Sequence, residues 1–201
     1  MSWLPKLLIA FRAACAPLIV VLACFGVPGP LLAAVLGAAF LSDVFDGVIA
    51  RRMGTATPGL RYSDTIVDTV FYVAAAAALK IAAPGAFDGA GLLLIALVTL
   101  HVSRTTFELT KYGRMASYHM WSAKALGLLL AAALAYGFVT ARPSLILTSA
   151  LWVGIGNQLE GFAASAVLPT WRSDVPSIVH AVRVVHSGAH ESYTIAPSRR
   201  S

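Results

Sequence analysis

Charge is scarce in this chain: only 12% of its 201 residues are charged and 58% are hydrophobic, a balance that excludes an ordinary soluble globular domain. Cysteine is nearly absent. Cys15 and Cys24 lie nine residues apart in one apolar run with no partner motif near either, which excludes a disulfide framework or a cysteine metal site. They read as small packing residues. Aromatic residues make up 9% and do not interleave with the basic ones, so the net charge of +6 forms no stripe of the kind that grips nucleic acid. The first apolar run has neither the unbroken core nor the small-residue cleavage site of a secretory signal. Lys6 and Arg12 interrupt it and Pro17 stands in its interior, so it reads as a retained helix.

What the chain does have is apolar length. Six runs, at about residues 3–26, 28–51, 60–83, 86–110, 122–140 and 144–168, each reach the roughly 20 residues a helix needs to cross a bilayer. The expected fold is an all-α integral membrane bundle of six transmembrane helices over residues 1–168. Residues 169–201 are expected to form a short interfacial or soluble tail. Six spans put both termini on one side. On or near that side fall Lys6, Arg12, Arg51, Arg52, Arg61, Lys111, Arg114, Lys124, Arg172, Arg183, Arg199 and Arg200, against Lys80, Arg104 and Arg142 elsewhere. Twelve against three predicts that this side, with both termini and the aspartates, is cytoplasmic; the membrane expected is a bacterial inner membrane.

Against this background the stretch 43–68 is anomalous, because it places Asp43, Asp46, Asp64 and Asp68 in sequence otherwise fit for lipid. Asp43 and Asp46 are three apart and Asp64 and Asp68 four apart, so each pair shares one face of a helix. The turn-like residues 53–60 between them would fold the two faces together. Four buried like charges are driven to protonate unless cations compensate them, so the pattern calls for metal. Oxygen ligands alone suit Mg²⁺ or Mn²⁺, completed by water and a phosphate-bearing substrate. Gly47 and Ala50 keep the same face clear for a flat group, and Arg51 adds a fixed cation. A metal pair, a cation and a cleared surface point to phosphoryl transfer.

The same residues resemble the signature D-x-x-D-G-x-x-A-R, about eight residues, G-x-x-x-D-x-x-x-D of the CDP-alcohol phosphatidyltransferase family. Asp43, Asp46, Gly47, Ala50, Arg51, Asp64 and Asp68 fall on it in register, while Leu60 stands at its second glycine and Gly59 one place earlier. The resemblance implies a transferase that moves a phosphatidyl group from a CDP-diacylglycerol-like lipid to a small alcohol or alcohol phosphate with release of CMP. By the family motif, Asp43, Asp46 and Asp64 are the main ligands of two ions. Asp68 completes the site and is the general base, Gly47 and Ala50 give the cytidine and pyrophosphate room, and Arg51 neutralises phosphate charge. Relatives often begin with P-N-x-x-T-x-x-R; here Pro5 and Arg12 keep the spacing while Lys6 and Ile9 replace the polar pair. Members that make phosphatidylglycerophosphate often have proline and lysine where Thr65 and Thr69 stand, which argues mildly against that acceptor. Relatives are often homodimers.

Three more cations are candidates for substrate binding. Arg12 either reaches a phosphate or snorkels to the interface. Arg104 shares a helix face with His101 and Glu108, facing an acceptor cavity or pairing with Glu108 within the bundle. Lys124 points toward the cavity or into the headgroups. Asn157, Gln158 and Glu160 read as polar glue between helices, and His180, His186 and His190 as part of a solvated or interfacial tail. Two rival functions remain at this level, a small cation or proton transporter and a non-catalytic binder of CDP-lipids.

Overall fold

A backbone surrounded by lipid has no water to hydrogen-bond with and must satisfy itself, so long apolar runs close into helices. The computed structural model of the protein shows this, and it describes residues 3–52, 57–118, 120–173 and 175–186. Among the described residues there is no strand, and the α-helices are α1 (Trp3–Cys24), α2 (Gly29–Arg52), α3 (Pro58–Ala82), α4 (Gly91–Tyr112), α5 (Trp121–Thr140), α6 (Leu145–Val167) and α7 (Ile178–His186). The first six have 20 to 25 residues each. Helices α1 to α5 are long and apolar enough to cross a membrane, which makes this an integral membrane protein.

Local chemistry sets where the helices begin and end. Residues 53–60 were expected to be turn-like, yet α3 starts inside them. Thr57 caps it, its hydroxyl accepting the Leu60 amide at 3.2 Å, and Pro58 occupies the first turn, where its missing N–H costs nothing. Gly59 and Leu60 are therefore helical, while 53–56 lie outside the described residues. The fourth run was expected from about residue 86, but Pro84–Phe87 forms a 3-10 turn and α4 begins only at Gly91. At its other end α4 stops at Gly113, whose φ of 70° suits a residue without Cβ and lets its amide return to the Leu109 carbonyl at 2.9 Å.

Helix α6 matches its neighbours in length but not in hydropathy, because it carries Asn157, Gln158 and Glu160. Those groups are spent inside the protein. Asn157 donates to Ser122 on α5 at 2.9 Å, Ser122 donates to Glu160 at 2.6 Å, and Glu160 also accepts the Ile178 amide at the start of α7 at 3.2 Å. The segment after α6 is tied down as well: α7 packs on α6 through the fully buried Ala181, and Ser117 pairs with Ser173.

The packing order follows from these contacts. Helix α1 lies against α2 and α3, both of which also reach α5; α5 packs on α6, and α6 on α4 and α7. The main core joins Ile19 of α1, Leu32 and Leu36 of α2, Phe71 and Leu79 of α3, Leu134 of α5 and Leu151 of α6. The tightest approach is backbone to backbone: a Cβ on Gly29 would stand 1.8 Å from the Phe138 carbonyl oxygen. Gly29→Ala must therefore push α2 off α5. It is expected to cost about 1–3 kcal/mol, as overpacking does, read as a lower apparent melting midpoint of the detergent-purified protein; an unchanged midpoint would show that the two helices do not meet there.

Candidate metal centre

Helix geometry brings the acidic pairs to one depth. At about 1.5 Å of rise per residue, Asp43 stands about 14 Å before the end of α2, and Asp64 and Asp68 about 9 and 15 Å after the start of α3. The two helices run in opposite directions on either side of residues 53–56, so their carboxylates face the same layer. One oxygen from each of Asp43, Asp64 and Asp68 lies within 4.8 Å of the other two. Ligand oxygens about 2.1 Å from one small divalent ion are themselves about 3–4 Å apart, so the spacing of these three is close to what an ion needs. All-oxygen donors of this charge fit Mg²⁺ or Mn²⁺. Asp46, Ala50 and Arg51 occupy the end of α2, and their side chains lie outside the described residues. Gly47 follows Asp43 by one turn of the same helix.

The third helix contributes a cation. Arg12 enters from α1, also about 14 Å from its start, and its guanidinium is only 1% exposed. Its Nη1 lies 3.0 Å from Asp43 Oδ1 and 3.0 Å from Asp64 Oδ1 and also contacts Asp68 Oδ1. One nitrogen thus touches all three carboxylates. A side chain so buried does not snorkel to the interface, the second of the two positions expected for Arg12. Periodicity cannot show these contacts, because Arg12 is separated from Asp64 by 52 residues.

Residues without an acidic signal hold the cluster in place. Thr65, next to Asp64, meets the Ser117 hydroxyl at 2.9 Å, which fastens the connection between α4 and α5 to the start of α3. Tyr72, one turn beyond Asp68, donates to the Gly127 carbonyl of α5 at 3.0 Å. Sequence reading missed all three, since a lone serine, threonine or tyrosine has no distinctive spacing.

The remaining candidates sit elsewhere. Arg104 donates from Nε to Glu108 at 2.7 Å, and its guanidinium lies so close against α6 that a Cβ on Gly161 would be 2.2 Å from Nη1. Glu108, 2% exposed, also accepts the Ser165 hydroxyl and the Ala116 amide, each at 2.8 Å. Because Ser165 gives its proton to Glu108, the Tyr118 phenol must be the donor in their 2.8 Å bond. Burial pushes that phenol above its usual pKa, which keeps the proton in place. His101 bonds Gln158 at 3.3 Å. Lys124 is exposed, with Nζ 4.1 Å from the centre of the Trp121 ring. His180 is exposed on α7, the side chain of His186 lies outside the described residues, and so does His190.

The sequence profile of the family described as CDP-alcohol phosphatidyltransferase matches residues 2–158. Neither a curated protein nor a solved structure matches the chain. The match takes in α1 to α5, with Arg12 and the four aspartates, and ends within α6 before Glu160 and Ser165.

Glu108→Ala would leave the Arg104 guanidinium with the 3.4 Å bond to Gln158 and would strand two further donors, the Ser165 hydroxyl and the Ala116 amide. The expected loss is about 3–5 kcal/mol, the cost of breaking a buried ion pair from one side, measured as apparent thermal stability in detergent; a loss under about 1 kcal/mol would mean that α4 is held by other contacts.

Proposed function

The chain belongs to the CDP-alcohol phosphatidyltransferase family, and from that membership we propose that it transfers a phosphatidyl group from CDP-diacylglycerol or a close relative to an alcohol, releasing CMP. The observation that carries this reading is the convergence of Asp43, Asp64 and Asp68 at one depth between α2 and α3. Asp43, Asp46, Asp64 and Asp68 would hold two divalent ions, Mg²⁺ or Mn²⁺. Bound there, the ions supply charge stabilisation to the pyrophosphate and make the acceptor hydroxyl easier to deprotonate.

The protein's own groups do the rest. An Asp68 carboxylate oxygen takes the proton of the acceptor hydroxyl as its oxygen bonds to the lipid-side phosphorus. The bond from that phosphorus to the bridging oxygen breaks, and CMP leaves with the electron pair. Gly47 and Ala50 leave the donor room, and Arg51 and Arg12 offset phosphate charge. Arg104 has a different part: held by Glu108 and seated on Gly161, it joins α4 to α6. Lys124, exposed beside Trp121 at the start of α5, would attract an anionic acceptor.

Helix α6 completes six spans in this reading, since its polar residues bond to α4, α5 and α7 and spare the lipid. The distribution of Lys and Arg supports a cytoplasmic side for the aspartates, where a water-soluble nucleotide would be released. A homodimer of the kind formed by relatives would need an outward apolar face, and α4 has one in Leu92, Ile95, Val98 and Val102.

Purified protein given CDP-diacylglycerol, Mg²⁺ or Mn²⁺ and a panel of alcohols should release CMP only when metal and the right alcohol are both present, and the product mass names the acceptor. Asp68→Asn should keep CDP-lipid binding yet lower CMP release by at least 100-fold, the low end of what a general base contributes. Full turnover in that variant would remove Asp68 from the role.

A further inference from the structure

Three carboxylates from two helices cannot share one partly buried layer without a cation, because each raises the energy of the others' charged form. In this structure the cation is Arg12. A single nitrogen of its guanidinium contacts an oxygen of Asp43, of Asp64 and of Asp68, so the guanidinium occupies the point on which those oxygens converge. A divalent ion held by the same three residues needs that volume, with its oxygens drawn to about 2.1 Å. The two cations cannot both have it. The guanidinium is buried at 1% exposure, packed where α1 meets α3, so it cannot step aside without breaking all three contacts.

We propose that Arg12 is a built-in counter-ion that competes with divalent metal for Asp43, Asp64 and Asp68. It holds α1, α2 and α3 together while no metal is bound, and it must give up the carboxylates for metal to enter. The displaced guanidinium remains beside the cluster and takes the pyrophosphate of the donor as its new partner. Metal and nucleotide therefore help each other to bind, since each supplies what the other removes. This rests on the metal site proposed above and adds to it a role for Arg12 that precedes any chemistry.

The test reads Mn²⁺ binding by electron paramagnetic resonance, with and without CDP as the nucleotide probe, together with thermal stability in detergent. Four proteins are compared: wild type, Arg12→Gln, Arg12→Lys and Asp64→Asn. Arg12→Gln should bind Mn²⁺ roughly tenfold more tightly than wild type, a coupling of ordinary size. It should lose the tightening that CDP brings to wild type. Without metal it should melt lower than wild type, and Mn²⁺ should stabilise it by a larger shift. Should it fail to stay folded metal-free, purification in Mn²⁺ and Arg12→Lys, which keeps a competing charge and near-wild-type affinity, carry the comparison. Equal or weaker Mn²⁺ binding by Arg12→Gln, or equal stabilisation of both proteins by Mn²⁺, overturns the competition. The metal site itself is judged separately by Asp64→Asn: if it binds Mn²⁺ as wild type does, the ion is not held by these carboxylates and both readings fall.

Discussion

Mutual repulsion among Asp43, Asp64 and Asp68 is the constraint around which this protein is arranged. Their oxygens are brought within 4.8 Å of one another in a partly buried layer, and like charges at that range are tolerated only where positive charge is close. The chain provides it from a third helix. Arg12 crosses from α1 to reach carboxylates on both α2 and α3, so one ionic contact fixes the relative placement of three helices. Removing either sign would leave the other buried and uncompensated, which is the costly case for charge in a protein interior.

The polar groups of the bundle divide into two sets with different consequences. Among the described residues, those that meet at the junction of α1, α2 and α3 are weighted toward negative charge: Asp43, Asp64 and Asp68 face Arg12. That imbalance is what a site for cations and a phosphate-bearing substrate requires. Those of the half from α4 to α7 bond to one another, with Glu108 taking Arg104, Ser165 and the Ala116 amide, and Glu160 taking Ser122 and the Ile178 amide. Bonds of this kind fasten helices to one another where lipid gives no hydrophobic drive for association. The bonds from Ser117 to Thr65 and from Tyr72 to Gly127 connect the two halves, and they do so within one turn of Asp64 and Asp68. Rigid support therefore reaches the reactive layer from the half that lacks reactive groups.

Much of the helical layout was legible in the residues because apolar length and its interruptions are local. The first three runs and the last two agree with α1, α2, α3, α5 and α6 to within about two residues, the ordinary margin for helix ends. The fourth run misled at its start, since Ala86 and Phe87 are apolar enough to read as helix but close a 3-10 turn, and α4 begins only at Gly91. Residues 53–60 misled in the opposite sense: threonine, proline and glycine suggest a turn, yet Thr57 and Pro58 are a helix cap and its first residue. The segment from 169 was read as a solvated or interfacial tail, and in the structure it returns through Ser173 and Val175 to carry α7 against α6. Mixed composition hid this, because its contacts lie with residues 18 to 56 positions earlier, beyond the reach of helical periodicity.

The spacing of Asp43 with Asp46 and of Asp64 with Asp68, with Gly47, Ala50 and Arg51 in register, determined by itself that two acidic helix faces exist and what chemistry they suit. Intervals of three and four residues are a property of the helix and need no knowledge of the fold. Which cation meets those carboxylates, and which of Arg12, Arg104 and Lys124 is free to face a substrate, was decided only when the helices packed. Each of these is a long side chain able to reach several places. Arg104 and Lys124 meet Glu108 and Trp121 one turn away on their own helices, but the partners of Arg12 are chosen by which helices lie alongside, and a contact between residues about fifty apart leaves no periodic trace in the chain.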